Sequence, residues 1–409
     1  MFKTIAGIMI TLDFLFQLFL KFLAYKSRNN KIPEELSDVY DNEKYEKWKK
    51  YSLEKIKIDV FQVTTTYIVT MLLIMINVFS YLFSAVTNEY LSSMYIIMFY
   101  TGVTFIFDCI FSYIRNMKVE SKYGFNKMTM KTFIIDRIKE LLLSLFLFIG
   151  LTMSFMALYK ALGDYILIVF SILLFIFIIF ISFIYPFISK LNNKFVSLEE
   201  GELRTELTMM LESHNYHVRD IKVMDASRRT TKSNAYFTGF GKSKTIVLYD
   251  NLLNQISVRE TVAIFAHEMG HGLHKDTLKQ TIISLLNIII MVLFAWLIVK
   301  YKEIYSDFGF DNVNFGLAII LLFNAIIPFV STFLGIFRSY YSRRCEYKAD
   351  EVAAKEGYGE DLINSLKILS RENLSDLTPH PLTVILYYSH PTLIQRIHHI
   401  REIEGKNHE

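Results

Sequence analysis

The chain has 409 residues, of which 52% are hydrophobic and 35 are phenylalanine. Gathered into long runs, such a composition is that of a polytopic membrane protein, because a soluble fold of this size has no core able to hide several of them. The net charge of +4 calls for no nucleic-acid partner, and two cysteines rule out a disulfide framework.

Seven apolar runs are long enough to cross a bilayer, which takes about 20 residues as helix. They fall near 5–24, 60–86, 92–114, 140–160, 164–188, 280–299 and 315–338. The first is long for a signal peptide and lacks a small-residue cleavage site, so it reads as a retained span. Pro186 is expected to end or kink the fifth. The residues between the first two runs, near 25–59, read as a polar loop. The other polar stretches are 189–279 and 339–409. The expected division is therefore 1–188 with five membrane helices, 189–279 as a polar segment, 280–338 with two further spans, and 339–409 as the C-terminal part of the polar domain. There is no internal repeat or low-complexity tract.

Alternate loops are basic, from Lys26 to Lys57 and from Arg115 to Lys139, whereas 87–91 carries no lysine or arginine and the loop after the fourth run only Lys160. The positive-inside rule then places the N-terminus outside and both the 189–279 segment and the C-terminus in the cytoplasm. Asp13, Asp108, Asn287 and Asn324 fall within the apolar runs. Ionisable groups at such depth face a cavity or a partner, and Asp108 is read as facing a protein interior or a wet chamber.

The chemistry is carried by His267-Glu268-Met269-Gly270-His271. The preceding Val262-Ala263-Ile264-Phe265-Ala266 can continue as one helix with it. Residues i and i+4 share a helix face, so His267 and His271 can present two imidazoles to one Zn²⁺. Glu268 lies beside them, where it can take a proton from the attacking water. A zinc site of this kind needs a third protein ligand. Glu346, in Cys345-Glu346-Tyr347-Lys348-Ala349-Asp350, is the expected donor, with Asp350 one turn later accepting the N–H of a ligand histidine, for which His267 is the choice. The alternative for this pair is two carboxylates on a solvated helix. Cys345 is expected to point away from the metal.

Several stretches taken together resemble the CAAX prenyl protease 1 family. They are Tyr185-Pro186 through Leu198-Glu199-Glu200-Gly201-Glu202-Leu203, then Ser233-Asn234-Ala235-Tyr236-Phe237-Thr238-Gly239-Phe240, the HEMGH run, Glu346-Tyr347-Lys348-Ala349-Asp350 and Ser389-His390-Pro391. Thr392 stands where many relatives have a second proline. The resemblance implies a mainly α fold: seven transmembrane helices enclosing a chamber, closed by a zinc metallopeptidase domain containing a small β element. It implies one Zn²⁺ per chain, membrane-lipid contact and a peptide substrate, possibly prenylated, cut near its C-terminus. It places Asn234 and Ala235 on or beside an edge strand that holds the peptide through its main chain. It makes His390 a donor to the developing oxyanion, and Arg396 a buttress of the site or a receptor for the substrate carboxylate. The corresponding location is the plasma membrane in a bacterium, or the endoplasmic reticulum or inner nuclear membrane in a eukaryote.

Two other readings compete. One is a membrane quality-control protease of the heat-shock type acting on unmodified proteins, which usually has fewer spans before HExxH. The other is a non-catalytic membrane carrier or scaffold for lipidated peptides, against which the intact Glu268 speaks.

Overall fold

The computed structural model describes residues 1–190, 193–238 and 245–407. Gly239 and Phe240 lie outside the described residues.

The chain begins with helix α1 (Phe2–Ser27), followed by α2 (Asn42–Met75), the short α3 (Val78–Phe83) and α4 (Glu89–Ser112), which runs on as a π-helical stretch (Tyr113–Glu120). Helices α5 (Met130–Leu162) and α6 (Ile166–Lys190) follow, joined by a single 3₁₀ turn at Gly163–Tyr165. Three starts carry polar caps: Asp41, Asn88 and Thr129 accept hydrogen bonds from the N–H groups of Lys44, Leu91 and Thr132. Asn77, with φ of 57°, breaks α2 from α3. The loop expected near 25–59 is helical from Asn42, because nothing between its Asp41 cap and the apolar residues beyond stops the helix. Pro186 does not end its helix, which continues to Lys190.

Among the described residues, six helical segments are long and apolar enough to cross a membrane: Phe2–Ser27, Asn42–Met75, Glu89–Glu120, Met130–Ile184, Asp276–Lys300 and Phe315–Lys355. The count is six because the 55-residue Met130–Ile184 takes in two of the expected runs. Exposed Ile106, Leu142, Phe146, Phe180 and Phe337 give these helices the outward apolar surface that a bilayer solvates, while Ile74, Ile96, Met156, Ile166 and Leu317 fill the contacts between them. A cavity of about 360 Å³ lies between the helices, lined by residues that include Thr66, Tyr100, Thr104, Asp108 and Asn324. Asp108 pairs there with Arg137 at 2.9 Å, and the Tyr100 hydroxyl donates to Asn324 Oδ1 at 2.7 Å.

The polar part starts with β1 (Phe195–Ser197) and α7 (Glu202–Ser213), then β2 (Asp220–Met224), β3 (Ala235–Thr238), β4 (Thr245–Tyr249), α8 (Asp250–Leu253) and α9 (Val258–Leu273). The chain re-enters the apolar region through α10 (Asp276–Lys300), turns through α11 (Glu303–Asp307), and returns by α12 (Phe315–Leu321), a π-helical turn (Leu322–Ile326) and α13 (Ile327–Lys355). Helices α14 (Gly359–Glu372), α15 (Pro381–Tyr387) and α16 (Leu393–Asn407) complete the chain. The sheet order is β1-β2-β4-β3, with β2 and β4 parallel and β3 antiparallel to β4. Leu207, Ile246, Leu248, Phe265, Met269 and Ile397 form a core between sheet and helices.

Helix α9 is buried along most of its length and starts at a capping box formed by Ser257 and Glu260. It crosses α13 at Gly270. A Cβ added there would lie 2.8 Å from Ala349 Cα, so only glycine lets the two backbones come this close. That approach delivers residue 346 to the histidine face of α9.

Candidate metal centre

His267 and His271 project from one face of α9, and their rings stand edge to face with centroids 4.9 Å apart. Glu346 reaches them from α13. Its Oε2 lies 3.5 Å from His267 Nε2 and its Oε1 3.3 Å from His271 Nε2. One donor atom from each of the three residues falls within 4.8 Å of the other two.

Both imidazoles are oriented from behind. His267 Nδ1–H donates to Asp350 Oδ1 at 2.8 Å, and His271 Nδ1–H donates to Asp276 Oδ2 at 3.0 Å. Each ring is thereby turned with Nε2 inward toward Glu346, the nitrogen a metal would take once its proton is displaced; Arg396 Nη2 also lies 3.2 Å from His267 Nδ1. Glu346 Oε2 is buried and makes no hydrogen bond, although His390 Nδ1 approaches it to 2.8 Å. A buried carboxylate oxygen left in this way is costly unless something else binds it. Two imidazole nitrogens and one carboxylate are also the donor set of catalytic zinc sites. These residues therefore fit a divalent metal.

Asp350 is fully buried and carries the expected histidine contact, but it also holds Arg396. The guanidinium donates to it twice, Nε to Oδ2 at 2.9 Å and Nη2 to Oδ1 at 2.5 Å. This two-pronged pair satisfies two charges that neither side of the buried site could carry alone. Arg396 is only 8% exposed, and its remaining Nη1 stands 3.9 Å from Glu346 Oε2. Of the two roles expected for Arg396, this geometry supplies the buttress; a receptor for a substrate carboxylate would need an open face.

Glu268 is half-buried beside the two histidines. Burial pushes its carboxyl above the usual glutamate range, and the neighbouring histidines offset only part of that. Burial would lower the His271 pKa, but Asp276, Glu346 and Glu268 together overcome it and hold it at about 10 without metal. His267 is likewise raised: burial and Arg396 oppose its proton, and Asp350 and Glu346 outweigh them.

Asn234 and Ala235 lie where the chain enters β3, the edge strand of the sheet. The Asn234 carbonyl accepts the Tyr249 N–H at 3.1 Å, and its Oδ1 accepts the Ala235 N–H at 2.9 Å. By antiparallel alternation, the Ala235 main chain then faces away from β4. His390 lies in the segment between α15 and α16, with its side chain 63% exposed. Asp276 was not foreseen. Five residues past His271, it shares no helical face with it. Only Lys275, with φ of 56°, turns the chain so that the first residue of α10 meets the last histidine of α9. Asp276 also meets the Cys345 thiol, which thus faces away from the metal ligands.

The profile described as "Peptidase family M48" matches residues 197–404, half of the chain. The chain belongs to peptidase family M48. A second profile, "CAAX prenyl protease N-terminal, five membrane helices", matches residues 21–194 of this M48 chain. Among curated relatives, a protein named CAAX prenyl protease 1 homolog from Arabidopsis thaliana is 34% identical over 60% of this chain and 57% of its own length. The CAAX prenyl protease 1 of Saccharomyces cerevisiae is 34% identical over 55% of this chain and 54% of its own. The matched stretch thus spans about half the length of these relatives. The crystal structure of S. mikatae Ste24p superposes with a TM-score of 0.90 at 28% identity, covering 98% of this chain and 99% of that one. The mainly helical fold with a small sheet is therefore that of Ste24p, and the family is one of metallopeptidases.

Proposed function

We propose that this chain is an integral-membrane zinc metalloendopeptidase that hydrolyses a peptide bond near the C-terminus of prenylated CAAX-type peptides. The observation that carries the reading is the pair of α9 imidazoles, each turned by a carboxylate at Nδ1, facing Glu346 with Glu268 alongside. The substrate class rests on the names of the relatives.

His267, His271 and Glu346 hold the ion, and Asp350 and Asp276 fix the two rings. Zinc, when bound, supplies Lewis acidity that makes water a stronger acid and polarises a carbonyl. Glu268 takes the proton of the attacking water and later returns it to the leaving amine, a task suited to a carboxyl whose pKa burial has raised. His390 donates to the oxyanion that develops on the scissile carbonyl. The outward Ala235 carbonyl accepts from the peptide as an added strand, and the Ala235 N–H exchanges its Asn234 Oδ1 partner for the peptide, which sets its direction across the site. Arg396 acts through Asp350.

The Met130–Ile184 segment is read as two passes that reverse at Gly163, whose φ of 56° suits a turn. That makes seven spans around a chamber, of which the 360 Å³ cavity is a part. The basic loops then place the N-terminus outside and the peptidase domain, made of 189–279 and 339–409, in the cytoplasm.

The test is cleavage by purified protein in detergent of two CAAX peptides of one sequence, farnesylated and unmodified. Zinc-dependent release of the last three residues from the farnesylated peptide alone is expected. Equal cleavage of both would remove the prenyl group from the substrate definition. Cleavage of neither by zinc-loaded protein would contradict the CAAX reading.

A further inference from the structure

Ser339, Arg343, Glu346 and Asp350 form one stripe along α13, spaced by four, three and four residues. The last two belong to the metal site. The first two hold the main chain of α15, a contact the mechanism above does not use. Arg343 Nη1 donates to the Val384 carbonyl at 2.8 Å and to the Tyr388 carbonyl at 2.9 Å, with the Ile385 carbonyl at 3.4 Å. Ser339 Oγ, one turn earlier, donates to the Leu386 carbonyl at 3.3 Å. The last carbonyls of a helix lack intrahelical donors; that of Val384 also takes the Tyr388 N–H at 3.2 Å, while those of Leu386 and Tyr388 are met from α13. Among the described residues, every hydrogen bond of the Arg343 side chain goes to these carbonyls, and no carboxylate lies within ion-pair range of it. A guanidinium committed to main chain in this way fixes a backbone path.

That path leads to His390. Tyr388 is two residues before it, in a segment without regular structure, and His390 Nδ1 stands 2.8 Å from Glu346 Oε2. We propose that Arg343 is a positioning residue for His390. It ties the start of the His390 segment to the helix that carries Glu346, one turn away, so that metal ligand and oxyanion donor keep one spacing when a peptide enters. The proposal rests on the peptidase reading, and its test has one arm that does not.

In the first arm, Arg343→Met, Arg343→Lys, His390→Ala and the double variant Arg343→Met/His390→Ala are compared for zinc content, kcat and KM. Arg343→Met is expected to keep stoichiometric zinc, lose kcat about tenfold or more, and hold KM within about twofold. Arg343→Lys restores part of the loss. In the His390→Ala background, Arg343→Met costs nothing further, since both changes remove the same interaction. Unchanged kcat in Arg343→Met, a fully additive double variant, or loss of zinc in both Arg343 variants would overturn the proposal. The second arm needs no substrate: hydrogen exchange of main-chain amides in 385–390 is expected to speed up in Arg343→Met while α9 stays protected. If the zinc-loaded wild type cleaves no peptide, the peptidase reading falls. The exchange arm then decides the placement alone, and unchanged exchange in 385–390 overturns it.

Discussion

Glu268 and Asp276 divide two tasks around His271. Glu268 touches no metal-ligand nitrogen, so Glu268→Gln is expected to keep zinc and lose turnover by about 10²–10⁴-fold, checked by metal analysis beside kinetics. Asp276 touches His271 and nothing that reacts. Asp276→Asn is expected to weaken zinc binding by about 10–100-fold, read by competition with a chelator, while turnover at saturating zinc changes little. The pH dependence of metal binding follows from the same contacts. In the metal-free site His271 keeps its proton up to a pKa of about 10, so zinc must displace that proton throughout the neutral range. Apparent zinc affinity is therefore expected to rise by about tenfold per unit or more from pH 7 to 9, the steeper slope arising where the raised His267 must also lose its proton. An ordinary histidine would let the affinity level off above about pH 7.5, and such a plateau would contradict the assignment. The shared face of His267 and His271 was legible in the sequence because HExxH encodes its geometry in helical spacing. Asp276 was not, since a left-handed residue, rather than a period, sets its position.

At the scale of elements, the site is a crossing of two helices, and Gly270 sets their distance. Gly270→Ala is expected to push α13 away from α9, cost about 1–3 kcal/mol of stability and lower zinc affinity. Thermal unfolding with and without metal checks this, and a fully stable variant with intact zinc binding would contradict the close crossing. The order of soluble elements was only partly readable. Strands β2 and β4 lie in short runs rich in β-branched residues, but three-residue β1 carries too little pattern to be seen. Residues 42–59 read as loop because their polar composition masks a helix that the membrane-facing half of α2 continues. The edge position of β3 depends on the parallel pairing of β2 with β4, a long-range fact that no local pattern encodes.

For the whole molecule, the seven long apolar runs pointed to a membrane protein and located the membrane helices to within a few residues at most of their ends. Their number was less legible. Hydropathy does not register whether Gly163 reverses the chain, so a segment of 55 residues can be counted once or twice. Nor could the sequence show that polar segments more than 60 residues apart, on either side of α10 to α12, close on one another; Gly270 against Ala349 and His267 against Asp350 do that. The central claim is that this closure builds a zinc peptidase whose base is Glu268. The direct measurement is to strip the purified protein of metal, titrate zinc back, and follow cleavage of a farnesylated CAAX peptide alongside Glu268→Gln. Activity that returns with one zinc per chain in the wild type, and never in the equally loaded variant, is the predicted result. Cleavage that persists without metal, or an active Glu268→Gln, would contradict the account.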